Sequence, residues 1–276
     1  MYLGEKGGNF LSRPKVGLAL GSGAARGLAH IGVLKVLERE GIPVDMIAGS
    51  SMGSLIGVVY ANGADLDMME QLAIHLKRNQ WLDFTLPRRG LITGDRIREL
   101  VRLLTHGKNL EDLRIPTSVI ATDLTNGERV VFTTGPIDLA VRASVSIPGI
   151  FEPVEWEGRT LVDGGVIDRV PVSVVREMGA DVVIAVDVIP PAGGLKIRNI
   201  FDVIAQSLEV MERQITHPQL LTADVVLHPD LSDISPTAFT RVDVCIRRGE
   251  EAALAKLDEI RRAIGGDGRP EKVKSG

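Results

Sequence analysis

Gly49-Ser50-Ser51-Met52-Gly53 fits G-x-S-x-G, the spacing that sets a serine on a tight turn between a strand and a helix. Glycines two positions to either side remove side chains that would collide there. The N-terminus of the following helix favours the negative charge that develops when a serine oxygen attacks an ester carbonyl. Ser51 is therefore a candidate nucleophile. The same five residues also suit a plain Gly/Ser turn ahead of a buried helix.

A second glycine-rich turn, Gly21-Ser22-Gly23-Ala24-Ala25-Arg26-Gly27, again follows an apolar run and precedes a helical pattern. Exposed backbone N–H groups at such a turn suit an anion. The third glycine of a dinucleotide loop would fall one position before Gly27. No Gly-Lys-Ser/Thr follows, as a Walker loop requires. An oxyanion hole is the better reading, because losing one such donor typically costs about 2.7–4 kcal/mol of transition-state stabilisation. A phosphate- or nucleotide-binding module without catalysis is the rival.

A serine nucleophile needs a base. The histidines are His30, His75, His106, His217 and His228. None lies in a glycine-rich loop at a strand end, and a lone histidine is more often structural. A Ser–His–Asp arrangement would call on His217 or His228, but Ser51 comes early for that fold, after only about two strands. Asp163 is the stronger candidate, in Val162-Asp163-Gly164-Gly165. It ends a strand, and the two glycines let another backbone approach. An ordinary Asp-Gly turn reads the same way.

The elements that must position these groups follow from periodicity. Residues 15–20 and 45–48 are short apolar runs that read as buried strands, with a turn over 49–53. Leu28, Ile31, Leu34 and Leu37 give a helix over 28–40, and another begins at Leu55. Amphipathic helices are expected over 65–78 and 94–105, with a loop between them. Asn126-Gly127 and Glu157-Gly158 mark hairpins, joining 117–122 to 129–132 and 153–156 to 159–162. A short helix over 171–178, a strand over 182–187, a long helix over 199–216, a strand over 224–227 and a terminal helix over 249–264 complete the pattern. Strands alternating with helices imply an α/β fold with a largely parallel sheet.

Composition narrows the function. The 276 residues carry a net charge of −4, which argues against nucleic acid as the main partner. A single cysteine, Cys245, excludes an internal disulfide and a cysteine-rich zinc site. Met46–Ala64 holds 19 residues without a charge, but its glycines, serines and Asn62 read as a buried strand–turn–helix rather than a membrane span. The first fifteen residues lack the apolar stretch of a secretory signal, so a cytoplasmic location is expected, with transient contact to a membrane surface. Neither a metal nor a cofactor is expected. The expected organisation is a flexible tail over 1–14, one domain over 15–265 and a polar tail over 266–276.

GSGAARG, GSSMG and DGG, in that order, resemble the patatin-like phospholipase family. LALGSGAARGLAHIGVLKVLEREGIPVDMIAGSSMGSLIG resembles its opening block, and ATDLTNGE at 121–128 and ASVSIPGIFEPV at 143–154 extend the likeness. It covers roughly residues 15–190 and looks most like the bacterial branch related to neuropathy target esterase. The resemblance implies a three-layer α/β fold with a central, mostly parallel sheet. It also implies hydrolysis of phospholipid or lysophospholipid acyl esters by a Ser51–Asp163 dyad. Backbone N–H groups of Gly23, Ala24 and Ala25 would form the oxyanion hole, with Arg26 as the loop's basic residue and Gly21, Gly27, Gly49, Gly53, Gly164 and Gly165 shaping the turns. Relatives often carry a run of glycines where this chain has Ser22, Ala24 and Ala25. Alanine keeps the N–H, and the loop is then expected to use conformations that a Cβ allows.

Overall fold

The computed structural model describes residues 13–76, 83, 89–190 and 200–265. Most of both expected tails, and most of the loop ahead of residue 90, lie outside this range. Residues Val16–Leu20 (β1) and Met46–Ser50 (β2) are buried along their whole length, as expected for strands covered on both faces. They pair in parallel, and Val182–Val186 (β7) joins the other edge of β1, followed by Val225–Leu227 (β8). The remaining strands are Thr117–Asp123 (β3), Glu128–Phe132 (β4), Val154–Trp156 (β5) and Arg159–Asp163 (β6). The eight form one sheet in the order β5-β6-β3-β2-β1-β7-β8, with β4 on β3.

Side chains alternate across this sheet, and both faces are covered. Leu18, Leu20, Ile47 and Ile184 belong to one apolar core, which also contains Ile31, Leu34 and Leu37 of helix α1 (Ala29–Arg39). Ala19, Ala48, Ile120 and Ala185 belong to a second core, completed by Val172, Val174 and Val175 of a short helix. The result is the expected three-layer α/β arrangement. Helix α1 also packs on a later helix, Val242–Ala255, at two glycines. A Cβ on Gly32 would lie 1.9 Å from the Ile246 carbonyl oxygen, and one on Gly249 would lie 2.0 Å from that of Ala29.

The other helices are α2 (Met52–Ala61), α3 (Leu66–His75), α4 (Asp95–Leu104), α5 (Ile137–Ser144), α6 (Val172–Glu177), α7 (Ile200–Leu220), α8 (Val242–Ala255) and α9 (Leu257–Gly265). Four differ from the sequence reading. Helix α2 starts at Met52 rather than Leu55, because β2 runs through Ser50 and Ser51 alone makes the turn. Helix α5 was not expected. It spans only eight residues, too short for a helical period to stand out, and its polar pair Asp138 and Arg142 is buried with the rest. Helix α7 continues past Pro218 to Leu220. The terminal helix begins at Val242, not at Gly249, and a break at Lys256 separates α8 from α9. Among the described residues, no helix is long and apolar enough to cross a membrane.

One register detail positions the site. Strand β3 pairs with β2 from Thr117 to Ile120 and with β6 from Ala121 to Asp123, while β4 occupies its other edge. Strands β2 and β6 therefore run toward each other along one edge of β3. Ser50 lies opposite Ile120, and Asp163 lies opposite Ala121. The two strands end tip to tip at adjacent positions of β3, so the residues just beyond their ends must meet.

Candidate active site

Ser51 follows the last residue of β2 and caps α2 with φ 52° and ψ −122°, a left-handed conformation unfavourable for a residue with a Cβ. The surroundings hold it there. Its N–H donates to Ser144 Oγ at 2.8 Å, and its carbonyl accepts from Ser54 N–H at 2.9 Å and Ser54 Oγ at 2.7 Å. The glycines flanking the turn are required by close approach. A Cβ on Gly53 would lie 2.1 Å from the Leu20 carbonyl oxygen, and one on Gly49 would lie 2.6 Å from that of Gly53.

Asp163 ends β6, and its Oδ2 accepts a 2.6 Å hydrogen bond from Ser51 Oγ. Its other oxygen accepts from Gly165 N–H at 2.7 Å. Its backbone is fixed on both sides. The N–H donates to the Ser146 carbonyl at 2.9 Å, and the carbonyl accepts from Thr122 Oγ1 at 2.9 Å. A Cβ on Gly164 would collide with the Ile120 carbonyl oxygen at 2.3 Å, which explains the glycine after the aspartate. Burial raises the Asp163 carboxyl to about 6, against the hydrogen bonds from Ser51 and Gly165 that favour its ionised form. At neutral pH it is thus mostly ionised, and far more basic than an exposed aspartate.

The 21–27 loop lies alongside. Gly21 N–H donates to the Val186 carbonyl and Ser22 N–H to that of Arg169, anchoring the loop to the sheet. Gly23 is extended at φ 169°, and Ala24 carries φ 48°. A residue with a Cβ thus adopts the left-handed conformation that the sequence reading expected the loop to avoid. The N–H groups of Gly23 and Ala24 donate to no acceptor among the described residues. Ala25 differs from expectation. Its N–H donates to the Pro236 carbonyl at 3.0 Å, so it is not a free oxyanion donor in this conformation. Gly27 faces Met52, where a Cβ would lie 2.5 Å from Met52 Cγ.

Arg26 is buried. Its Nε donates to the Ile234 carbonyl at 2.8 Å, and its Nη1 lies 3.4 Å from Glu209. His30 is also buried. Burial lowers it to about 4, so the ring is neutral and its Nε2 donates to the Gly21 carbonyl at 2.8 Å. This is a structural histidine that anchors the loop. His228 Nδ1 faces Asp187 at 3.8 Å. Neither His217 nor His228 lines the cavities at Ser51.

Two chambers open at Ser51. The first, of about 140 Å³, is walled by Met52, Leu55, Ile56 and Val59 of α2, Met69, Leu72 and Ala73 of α3, and Ile97, Leu100 and Leu104 of α4. The second, of about 190 Å³, is lined by Gly23, Ala24, Arg26, Asp163 and, from α7, Leu208, Glu209 and Glu212. Ile147 and Phe151 border both, and Ile150 borders the second. Helices α2, α3 and α4 supply most of the apolar wall of the first chamber, and Ile92 and the 147–151 stretch contribute to the second. Arg142 secures the shared rim. It donates to Ser146 Oγ and to the Thr93 and Glu152 carbonyls, and lies 5.6 Å from the centre of the Phe151 ring.

Sequence reasoning thus missed Ser144, Ser146, Thr122, Arg142 and Glu212. The first four sit within or beside the two stretches at 121–128 and 143–154, where the signal was a block resemblance rather than a role. Glu212 reads in sequence as one more charge on a helix. Among the described residues, no cluster of histidine, cysteine or carboxylate side chains has metal-binding form.

The fold and site define an α/β protein with a serine at a strained strand-to-helix turn and a buried aspartate against it. The chain belongs to the patatin-like phospholipase family, whose model matches residues 18–176. It is 43% identical over 178 residues to an uncharacterised NTE family protein of Mycobacterium tuberculosis, covering 63% of this chain and 49% of that protein. It is 37% identical over 181 residues to human patatin-like phospholipase domain-containing protein 6, covering 63% and 13%. Lysophospholipase NTE1 of Pyricularia oryzae shares 29% over 283 residues, covering 89% and 18%. The chain spans about half the length, or less, of these curated relatives. In fold it resembles VipD of Legionella pneumophila, with a TM-score of 0.62 at 14% identity, over 89% of this chain and 67% of that one. The type III effector ExoU gives 0.51 at 15%, over 90% and 53%.

Proposed function

We propose that this chain is a lipid acyl-ester hydrolase in which Ser51 is the nucleophile and Asp163 its base. The observation that carries the reading is the 2.6 Å hydrogen bond from Ser51 Oγ to a buried, unusually basic Asp163, placed where the two chambers meet. Asp163 accepts the Ser51 proton as Oγ attacks the ester carbonyl. The N–H groups of Gly23 and Ala24 receive the oxyanion. The first chamber takes the acyl chain, since its walls are apolar side chains of α2, α3 and α4. The second chamber takes the alcohol or headgroup. Water then releases the acyl group from Ser51.

The names of the family and of its relative lysophospholipase NTE1 support phospholipids or lysophospholipids as the substrate class. We extend the domain over residues 15–265, because β7, β8 and α7 complete the sheet and the second chamber beyond the matched segment. The protein would act on lipid at a membrane surface, from the cytoplasmic side.

Fluorophosphonate labelling tests the reading without a choice of lipid. Wild type should label, and Ser51→Ala should not. Asp163→Asn should label far more slowly while remaining folded. Labelling that persists in Ser51→Ala would overturn the assignment.

A further inference from the structure

Helix α7 lies wholly beyond residue 176, the end of the family match, yet it walls the second chamber. Glu212 lies three residues after Glu209 and four after Leu208, so it neighbours both on the helix surface, and all three line the chamber with Ser51 and Asp163. The two glutamates differ. Glu209 is committed to cations, with Arg26 at 3.4 Å and Arg213 at 3.4 Å. The Glu212 carboxyl is half-buried and has no hydrogen-bond or ion-pair partner among the described residues, although it lines the chamber assigned to the leaving group.

We propose that Glu212 is the general acid of the acylation step and the general base of the deacylation step, working in opposite phase to Asp163. The proposal rests on the Ser51–Asp163 reading above. In acylation, Asp163 takes the Ser51 proton. The tetrahedral intermediate collapses by breaking the bond from carbonyl carbon to leaving oxygen, and Glu212 gives its proton to that oxygen. The acyl-enzyme then holds a protonated Asp163 and an ionised Glu212. In deacylation, water attacks the acyl carbon and loses a proton to Glu212. The bond to Ser51 Oγ breaks, and Asp163 returns its proton to Oγ. Both carboxyls end as they began, and no other reactant is needed.

The charges around Glu212 suit that cycle. The groups facing it are Asp163 at the end of β6, Arg169 beyond the Gly164–Val166 turn, Glu209 on α7 and Asp187 after β7. Burial, then the Asp163 charge, raise Glu212 to about 8, with Glu209 and Asp187 adding to the rise and Arg169 opposing it. Asp163 stands at about 6. Near pH 7 the two carboxyls of one chamber hold a single proton between them, and it sits on Glu212. Carboxyls whose surroundings push them apart in this way divide into acid and base.

The test compares two esters of one fatty acid, a p-nitrophenyl ester and an n-alkyl ester, on wild type and Glu212→Gln. Rates are normalised to sites counted with a fluorophosphonate, so misfolded protein does not enter the ratio. The nitrophenolate leaves without a proton, whereas the alkoxide needs one. Glu212→Gln should lower the alkyl-to-aryl ratio of kcat/KM by about 10²–10⁴, the usual worth of general acid catalysis. With the aryl ester it should show a burst followed by slow turnover, because deacylation has lost its base. The wild-type alkyl-ester profile should fall on its alkaline side near pH 8, and the variant should lack that limb. Equal losses on both esters, no loss on either, or an alkaline limb that survives in Glu212→Gln would overturn the role of Glu212 and leave the dyad standing. Turnover that persists in Ser51→Ala would overturn the dyad itself, and this proposal with it.

Discussion

The two chambers meet at one serine, and only the second holds charged groups. The wall of the first comes mostly from helices within the family-matched segment, with Phe239 added from beyond it, and is apolar apart from Ser51. The second brings together Arg26, Asp163, Glu209 and Glu212, with its acidic wall on α7 outside that segment. One chamber is thus suited to recognise length and the other to move protons. Separating the two tasks matters physically. A carboxyl is useful as a base only where burial raises it, and a chain pocket gains from every methylene it removes from water.

The largest effect expected is the loss of the base. Asp163→Asn should reduce kcat/KM by about 10²–10⁴ for short- and long-chain esters alike. If the reduction depended strongly on chain length, the chambers would not be separate, and Asp163 would be shaping the acyl pocket. The converse substitution is Ala73→Trp, on α3 in the wall of the first chamber. A tryptophan there takes up pocket volume and should deny it about three methylenes, at ~0.8 kcal/mol each. The ratio of palmitoyl to butyryl p-nitrophenyl ester turnover should fall about ten- to a hundredfold. The pH midpoint of the reaction, set in the other chamber, should stay where it was.

A smaller effect runs against the direction of activity. In the folded protein the Asp163 carboxyl stands at about 6 instead of 3.8, because burial disfavours its charge. The folded state therefore binds that proton more tightly than the unfolded chain does. Stability falls as pH rises from about 4 to about 6, and the whole penalty is present above that. Asp163→Asn should remove it, stabilising the protein by on the order of 1–3 kcal/mol at pH 7 and by little at pH 4. Urea denaturation at the two pH values measures the difference. A variant no more stable than wild type at pH 7 would mean that the chamber is wetter than its lining implies.

How far this comparison was legible in the sequence depends on how local each signal is. β1, β2 and both hairpins were readable because apolar runs and the Asn126-Gly127 and Glu157-Gly158 turns encode them locally. Ser51 and Asp163 stood out by their glycines. Their contact did not, because it depends on β2 and β6 converging along one edge of β3, and no local pattern specifies that register. Gly249 misled for a related reason. A glycine suggests a helix boundary, yet here it lies inside α8, where only the absence of a Cβ lets α1 approach. Helix α5 was hidden by its length, since eight residues repeat a helical period barely twice. Glu212 was hidden because a glutamate on a long helix is ordinarily a solvated charge, and only the tertiary fold turns this one toward Asp163.

The smallest predicted effect tests the point where the chambers join. Ser144, at the end of α5, accepts the N–H of Ser51 and belongs to neither chamber's lining. Ser144→Ala leaves that N–H buried without an acceptor, which costs about 1–3 kcal/mol. Part of the cost is paid by the strained turn, which relaxes and lets Ser51 Oγ drift from Asp163. Turnover should then fall by roughly tenfold, since 1.4 kcal/mol is a factor of ten. Because the fault lies in the nucleophile, the fall should be the same for short and long acyl chains and for aryl and alkyl leaving groups. A fall that selected one substrate over another would show that α5 shapes a chamber rather than the hinge between them.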